Sequence, residues 1–347
     1  MLYVTTRDKR DVFTAYKTLI NNQGPCGGFY IPFQPITFSR QEIEALKDKS
    51  FGQCVADILN LFFSSRLDAW DVDFCIGRHP VKLVPMSHKI VVGEVWHNPQ
   101  WEFSRVVRNL RGRILGTSDS DDCPTNWTWI AVRIAVLFGL FGKLFRNGLT
   151  DPHLLTDVSV NGDDFTAIMA AWYARNMGLP IGNIIFSCDE ESKLWDFLNH
   201  GELEPLEVAG SVVESSHRSR VTTDVERLVY ETLGEKEALR FAEFSAAGAS
   251  YSVSAEQIKS VRTGLFCAVV SKKRAVSVIK NVFRTNAYLL SSDSAFAYGA
   301  LQDFRATSSE ISSALILTER GPITEVNTVA EAIGISAEEL KSRIQTF

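Results

Sequence analysis

The most constraining feature of the chain lies in its middle. Residues 154–160 (LLTDVSV) are an apolar run of strand length, and 164–177 (DFTAIMAAWYARNM) an apolar run of helix length. Residues 183–188 (NIIFSC) repeat the first pattern and 190–200 the second. Gly178 stands where a helix C-cap needs a left-handed residue, and Pro180 follows it. Strand–helix–strand–helix alternation of this kind specifies an α/β domain with a parallel sheet. Other segments read less regularly. Residues 9–21 carry Val12, Phe13, Tyr16, Leu19 and Ile20 at helical spacing. GPCGGFYIP (24–32) sets two turn signals around a short strand, and Ser39 and Ser50 can cap helices over 39–47 and 50–64. Residues 89–96 predict a buried strand, 100–111 a helix, and 112–122 a strand followed by an acidic turn. Helices are expected over 222–247, 274–285, 295–304 and 336–346, and a strand over 314–318.

With 347 residues the chain has room for two domains. Its 45% hydrophobic and 22% charged content excludes disorder for the bulk. Lys plus Arg is 36 against 41 for Asp plus Glu, so the net charge of -5 argues against nucleic acid as a partner. The six cysteines are scattered singly with no CxxC pair, so no zinc site is expected, and free thiols suit a reducing cytoplasm. The opening MLYVTTRDKR is charged at once and has no apolar signal core, which also points to the cytoplasm. The most apolar stretch, 127–145, contains Arg133 and Lys143. The uncharged run between them is too short for a bilayer span, so it is expected to be a core helix, with no membrane partner.

Six segments carry a family resemblance. YVTTR (3–7) is similar to Y-x-S-T-R, GPCGGFYIP to A-P-D-G-G-L-Y-V-P, and SFGQCVADIL (50–59) to S-F-A-E-V-A-x-x-I-L. VSVNGDDFTAIMAAWYARNMGLPI (158–181), TDVERLVYE (223–231) and AYLLSSDSAFAYGAL (287–301) match three more segments in the same order. Together they resemble threonine synthase, a pyridoxal-phosphate (PLP) enzyme of fold type II that converts O-phosphohomoserine to threonine. The resemblance implies an N-terminal domain over 1–85 and a reduced α/β domain over 86–347. Asp122 and Cys123 adjoin where the family has several tens of residues, so the small cofactor lobe is expected to be largely deleted, with 123–150 its remnant.

The sites depart from the family. Its Schiff-base lysine, in an F-K-D segment after H-G-P-T, corresponds to Ser104 in WHNPQWEFSRV (96–106), with His97, Pro99 and Phe103 keeping the frame. A hydroxyl cannot condense with an aldehyde, and the adjacent Arg105 is always protonated. The glycine-rich phosphate turns are altered too. One resembles Ser118, Asp119, Ser120, Asp121 and Asp122, the other Asp163, Asp164, Phe165 and Thr166. Glycine there lets backbone N–H groups approach a phosphate. Aspartates instead oppose a dianion, at about 1 kcal/mol per pair of charges 4 Å apart in water and about 4 at an effective dielectric of 20. The family's N-S-I-N-W-A-R resembles CPTNWTW (123–129), with Asn126 and Trp127 kept and Trp129 in place of arginine. No cofactor is therefore expected.

These departures imply a threonine-synthase-like binding or regulatory protein inactive in the family reaction. Two alternatives stand beside it. One is an enzyme with PLP-independent chemistry in the old cleft, drawing on His97, Ser104, Arg105, Asn126, Asp163, Asp164, Asp293, Glu319 and Arg320. The other is a genuine threonine synthase whose lysine comes from elsewhere. For Ser104 a filler of the vacated position outweighs a new nucleophile, since only His97 stands nearby as a base. The aspartates match no ion-loop spacing, so no metal is expected. The basic patches 271–276 (SKKRAV) and 217–220 (HRSR) read as solvated faces. A deleted lobe would expose apolar surface, so a protein partner or self-association is expected, with helix 127–145 as its face; a small-molecule ligand is also compatible.

Overall fold

In the computed structural model of the chain, the described residues are 1–76, 81–95, 103–117, 125–162, 165–188, 192–205 and 212–345; side chains of 212–222 and of Gln345 are not described. The chain opens with a hairpin. β1 (Leu2–Thr5) pairs antiparallel with β2 (Asp8–Thr14), and α1 (Ala15–Ile20) follows. The helix expected over 9–21 thus forms only in its second half. Cross-strand pairing takes the first half, where Phe13 packs edge-on against Tyr30 with ring centroids 5.4 Å apart. β3 (Tyr30–Pro32) adds to the other edge of β1, so the small sheet runs β2-β1-β3. α2 (Arg40–Glu44) starts at a capping box in which Ser39 accepts from the Glu42 N–H and the Glu42 carboxylate accepts from the Ser39 N–H. Ser50 caps α3 (Phe51–Phe63), and α4 (Ala69–Ile76) follows.

The chain then alternates. After β4 (Lys82–Met86) and β5 (Ile90–Glu94) come α5 (Phe103–Leu115), α6 (Trp127–Arg146), β6 (Thr156–Val160), α7 (Phe165–Asn176) and β7 (Ile181–Cys188). Next are α8 (Lys193–His200), β8 (Glu202–Leu203), α9 (Val212–Leu233), α10 (Glu235–Ala246), β9 (Tyr251–Ser252) and α11 (Ala255–Val261). The last are β10 (Leu265–Val269), α12 (Lys272–Asn286), α13 (Ser292–Thr307), β11 (Ser313–Thr318), α14 (Val326–Ile333) and α15 (Ala337–Gln345). Two expectations change here. Residues 112–115, expected as a strand, continue α5, which ends at Gly116 with φ +69. The helix expected over 222–247 is two helices, because Gly234 at φ +90 interrupts it.

The main sheet has the order β10-β7-β6-β11-β5-β4, parallel throughout except for the antiparallel edge strand β4. This is the α/β architecture read from the central alternation. Pairing of β4 with β5 places residues 82–86 with the main sheet. Residues alternate between two cores: Val91, Val158, Ile184 and Leu315 face α3, α6 and α7, while Ile90, Val92, Ile185 and Ile316 face α12, α13 and α14. The first core also takes in Tyr3, Leu19 and Val55, so the N-terminal region packs directly on the sheet domain.

α6 is the centre of that first core. Every residue from Trp127 to Gly142 is buried, under α3 and α7. Gly139 makes the close approach possible, since a Cβ there would lie 2.6 Å from the Phe51 ring. It is the one helix among the described residues long and apolar enough to cross a membrane, and it is a core helix here. The expectation that it offers an apolar face to a partner is corrected: neighbouring helices already cover it. The two charges inside this helix, Arg133 and Lys143, both reach partners outside it.

Candidate functional site

All five parallel strands end at one edge of the sheet, where helix N-termini and loop polar groups gather. Asn161, just past β6, organises that edge. Its Nδ2 donates to Asp293 Oδ1 at 3.1 Å, and its Oδ1 accepts from Ser187 Oγ at 3.0 Å. Ser187 Oγ also accepts from the Gly162 N–H at 3.3 Å. Gly162 permits this contact, because a Cβ would lie 1.7 Å from the Ser187 carbonyl oxygen. Asp293 sits in the first turn of α13, with Arg320 Nε 3.6 Å from its other oxygen. Ser291 caps α13, accepting from the Ser294 N–H, and its hydroxyl lies 3.3 Å from that of Thr318. The ends of β6, β7 and β11 are thereby tied to the start of α13.

A cleft of about 950 Å³ opens beside this network. The N-terminal turns of α12 and α13 form one side, with Lys272, Lys273 and Ser292 among the lining residues. Phe296 and Val276 supply apolar wall, and the α14 end contributes Glu325, its N-cap residue, and Glu331.

A second arrangement lies on the α6 side. Arg133 of α6 forms a two-point ion pair with Glu319, Nε to Oε1 at 3.0 Å and the second nitrogen to Oε2 at 2.9 Å. The guanidinium lies 3.8 Å from the centroid of Phe103 and 5.8 Å from that of Trp129. Phe103 opens α5, so Ser104 stands on the same helical turn, half-buried, and Arg105 next to it is exposed. At the end of β5, Glu94 is buried, accepts a hydrogen bond from the Tyr288 hydroxyl and has Lys82 at 3.9 Å. Burial pushes its carboxyl above the ordinary glutamate range.

The structure brings some sequence candidates together and separates others. Asp293 and Arg320 meet at the cleft edge; Glu319 faces the other way, to Arg133. Asn126 is the buried N-cap of α6, accepting from the Thr128 N–H at 2.9 Å and donating to Asn21 O at 2.9 Å. Phe165 is a core side chain packed on Phe186, and Thr166 is buried with its hydroxyl donating to Asp224 Oδ2 at 2.6 Å. His97, Ser118, Asp119, Ser120, Asp121, Asp122, Asp163 and Asp164 lie outside the described residues. Among the described residues no three His, Cys, Asp or Glu side chains gather as metal ligands. Sequence reasoning missed Arg133, whose only signal was a lone cation inside an apolar helix. It also read Lys272 and Lys273 as solvated, although they line the cleft.

Residues 2–79 match the family model described as the threonine synthase N terminus. Threonine synthase from Pseudomonas aeruginosa is 25% identical over 182 residues, covering 52% of this chain and 38% of that protein. The aligned region thus spans well under two thirds of that relative's length. Among solved structures, a PLP-bound threonine synthase from Brucella melitensis superposes with a TM-score of 0.80 at 19% identity, covering 96% of this chain and 92% of that one. Threonine synthase from yeast gives 0.79 at 17% identity, covering 97% and 91%. At these identities the superpositions speak to the fold, which is that of the type II PLP proteins.

Proposed function

We propose that the chain is a binding member of the threonine synthase family that does not perform the pyridoxal-phosphate reaction; the match of residues 2–79 to that family's N-terminal model and the shared fold support the membership. The observation that carries this reading is the Arg133–Glu319 pair beside Ser104. PLP needs an amine for its aldehyde and open space over the strand ends. The residues present do not fit it. Ser104, at the position the family resemblance gives to the lysine, offers a hydroxyl. Directly beside its turn the guanidinium of Arg133 sits over Phe103 and pairs with Glu319 just past β11. The ion pair fixes α5, α6 and β11 to one another beside the position that the family resemblance gives to the lysine.

The carboxylates at the sheet edge also favour binding over a new reaction. Glu319 is held by Arg133, and Asp293 by Asn161 and Arg320. A general base must be free to take a proton, and a carboxylate neutralised by a guanidinium is a poor one. What the edge retains is a roomy polar cleft, suited to a small molecule whose binding could be read out by a protein partner or a second copy.

The test is turnover. Purified protein supplied with PLP and O-phosphohomoserine should form no threonine and release no phosphate above a protein-free control, while an active threonine synthase in the same assay does. Threonine formation proportional to the amount of protein would overturn the proposal.

A further inference from the structure

The cleft beside Asn161 is built from two helix N-termini and two lysines, none of which the Arg133–Glu319 arrangement uses. α12 and α13 are 15 and 16 residues long, and both begin at the cleft wall. In α12, Ser271 accepts from the Arg274 N–H at 3.3 Å, so the N–H groups of Lys272 and Lys273 are left without intrahelical partners. Neither lysine forms an ion pair among the described residues, and both side chains are exposed along the cleft. An independent observation points the same way. Ser292, at the start of α13, is only 3% exposed, yet it lines the cleft and its hydroxyl has no hydrogen-bond partner among the described residues. An enclosed side chain whose hydroxyl meets no partner among the described residues and opens only on a cavity marks a place for a ligand atom.

We propose that this cleft binds a small molecule through an oxyanion group, a phosphate or a carboxylate, seated between the first turns of α12 and α13. Orphan backbone donors and the positive end of each helix dipole favour an anion there. Lys272 and Lys273 add charge and Ser292 adds a hydroxyl donor. Asp293 does not oppose the anion with a bare charge, because Asn161 and Arg320 hold it. Glu325 and Glu331 at the α14 end of the cleft set the orientation: the anion lies toward α12, and a neutral or cationic part of the molecule lies toward α14. Phe296 and Val276 cover the portion between. The site lies on the α12–α14 face of the sheet, so the inference stands whether or not the chain ever carries PLP.

Inorganic phosphate is the probe, titrated by calorimetry at constant ionic strength with chloride as the compensating salt. Wild type should bind saturably with one site. The double variant Lys272→Glu/Lys273→Glu should bind at least about tenfold more weakly, and Ser292→Ala several-fold more weakly, as expected for a hydrogen bond to a charged group. Lys280→Glu makes the same kind of charge change on an exposed residue of α12 away from the cleft, and should bind as wild type does. Malonate in competition separates the sources: displacement of phosphate marks a site for carboxylates as well, and no displacement marks one for phosphate. Absence of saturable binding, or equal affinity in the cleft variants and Lys280→Glu, would overturn the proposal. A threonine-forming reaction would leave it untouched, so its failure is distinct from failure of the binding-protein reading.

Discussion

Glu319→Ala isolates the Arg133 ion pair. Arg133 is 4% exposed, and its side chain is enclosed by Phe103, Trp129 and the carboxylate of Glu319. Removing Glu319 takes the two-point carboxylate away from a buried guanidinium, which cannot shed its proton in response. Breaking a buried pair from one side costs about 3–5 kcal/mol. The Glu319 side chain keeps 19% exposure, so water can replace part of what is lost and the lower end, about 3 kcal/mol, is expected. Arg133→Met behaves differently. It removes the buried charge itself, keeps apolar contact with Phe103, and leaves a half-buried carboxylate that water can reach, so about 1 kcal/mol is expected. The double variant Arg133→Met/Glu319→Leu should lie nearer to Arg133→Met than to Glu319→Ala. Urea unfolding of the four proteins closes a double-mutant cycle. The reasoning fails if Glu319→Ala unfolds within about 0.5 kcal/mol of wild type, or if Arg133→Met is the more damaging single change.

Gly162→Ala forces a methyl group against the Ser187 carbonyl oxygen, and because the obstacle is backbone it should cost about 3 kcal/mol in urea unfolding and weaken phosphate binding in the neighbouring cleft. Asn126→Ala removes the cap of α6 and the donor to Asn21 O, for about 2 kcal/mol by the same measurement. Glu94 sets a pH dependence. Its folded pKa lies above the ordinary value of 4.5, so the stability gained by holding the proton is fully present below that value and is lost as pH rises through the folded pKa. Wild type should therefore lose stability relative to Glu94→Gln from about pH 4.5 upward until the folded carboxyl ionises; a difference that stays flat with pH would count against the buried carboxyl.

The elements legible in the sequence are those whose signal is local. β6, α7 and β7 are apolar runs bounded by Gly178, Pro180 and polar turns, and Ser39 and Ser50 announce α2 and α3 by their own caps. β2 was illegible because it is a charged edge strand with five of its seven residues exposed and a sixth half-buried; only pairing with β1 makes it a strand. β4 carries Pro85, which edge position tolerates and sequence pattern discourages. The site divides in the same way. Asp293 and Arg320 could be singled out by residue type at positions of family resemblance. Glu319 could be singled out as well, but not its use, since its partner Arg133 lies 186 residues away. Lys272 and Lys273 belong to a basic run that looks the same whether it faces solvent or a cleft, and only the folded chain, which sets the start of α12 on the cleft, tells the two apart.

The central claim is that no lysine of this chain takes up the family cofactor. Its most direct test is intact-mass measurement after incubation with PLP and reduction with borohydride, followed by peptide mapping. The account predicts the unmodified mass, or at most traces spread over exposed lysines. A stoichiometric gain of one cofactor located on a single lysine would contradict it.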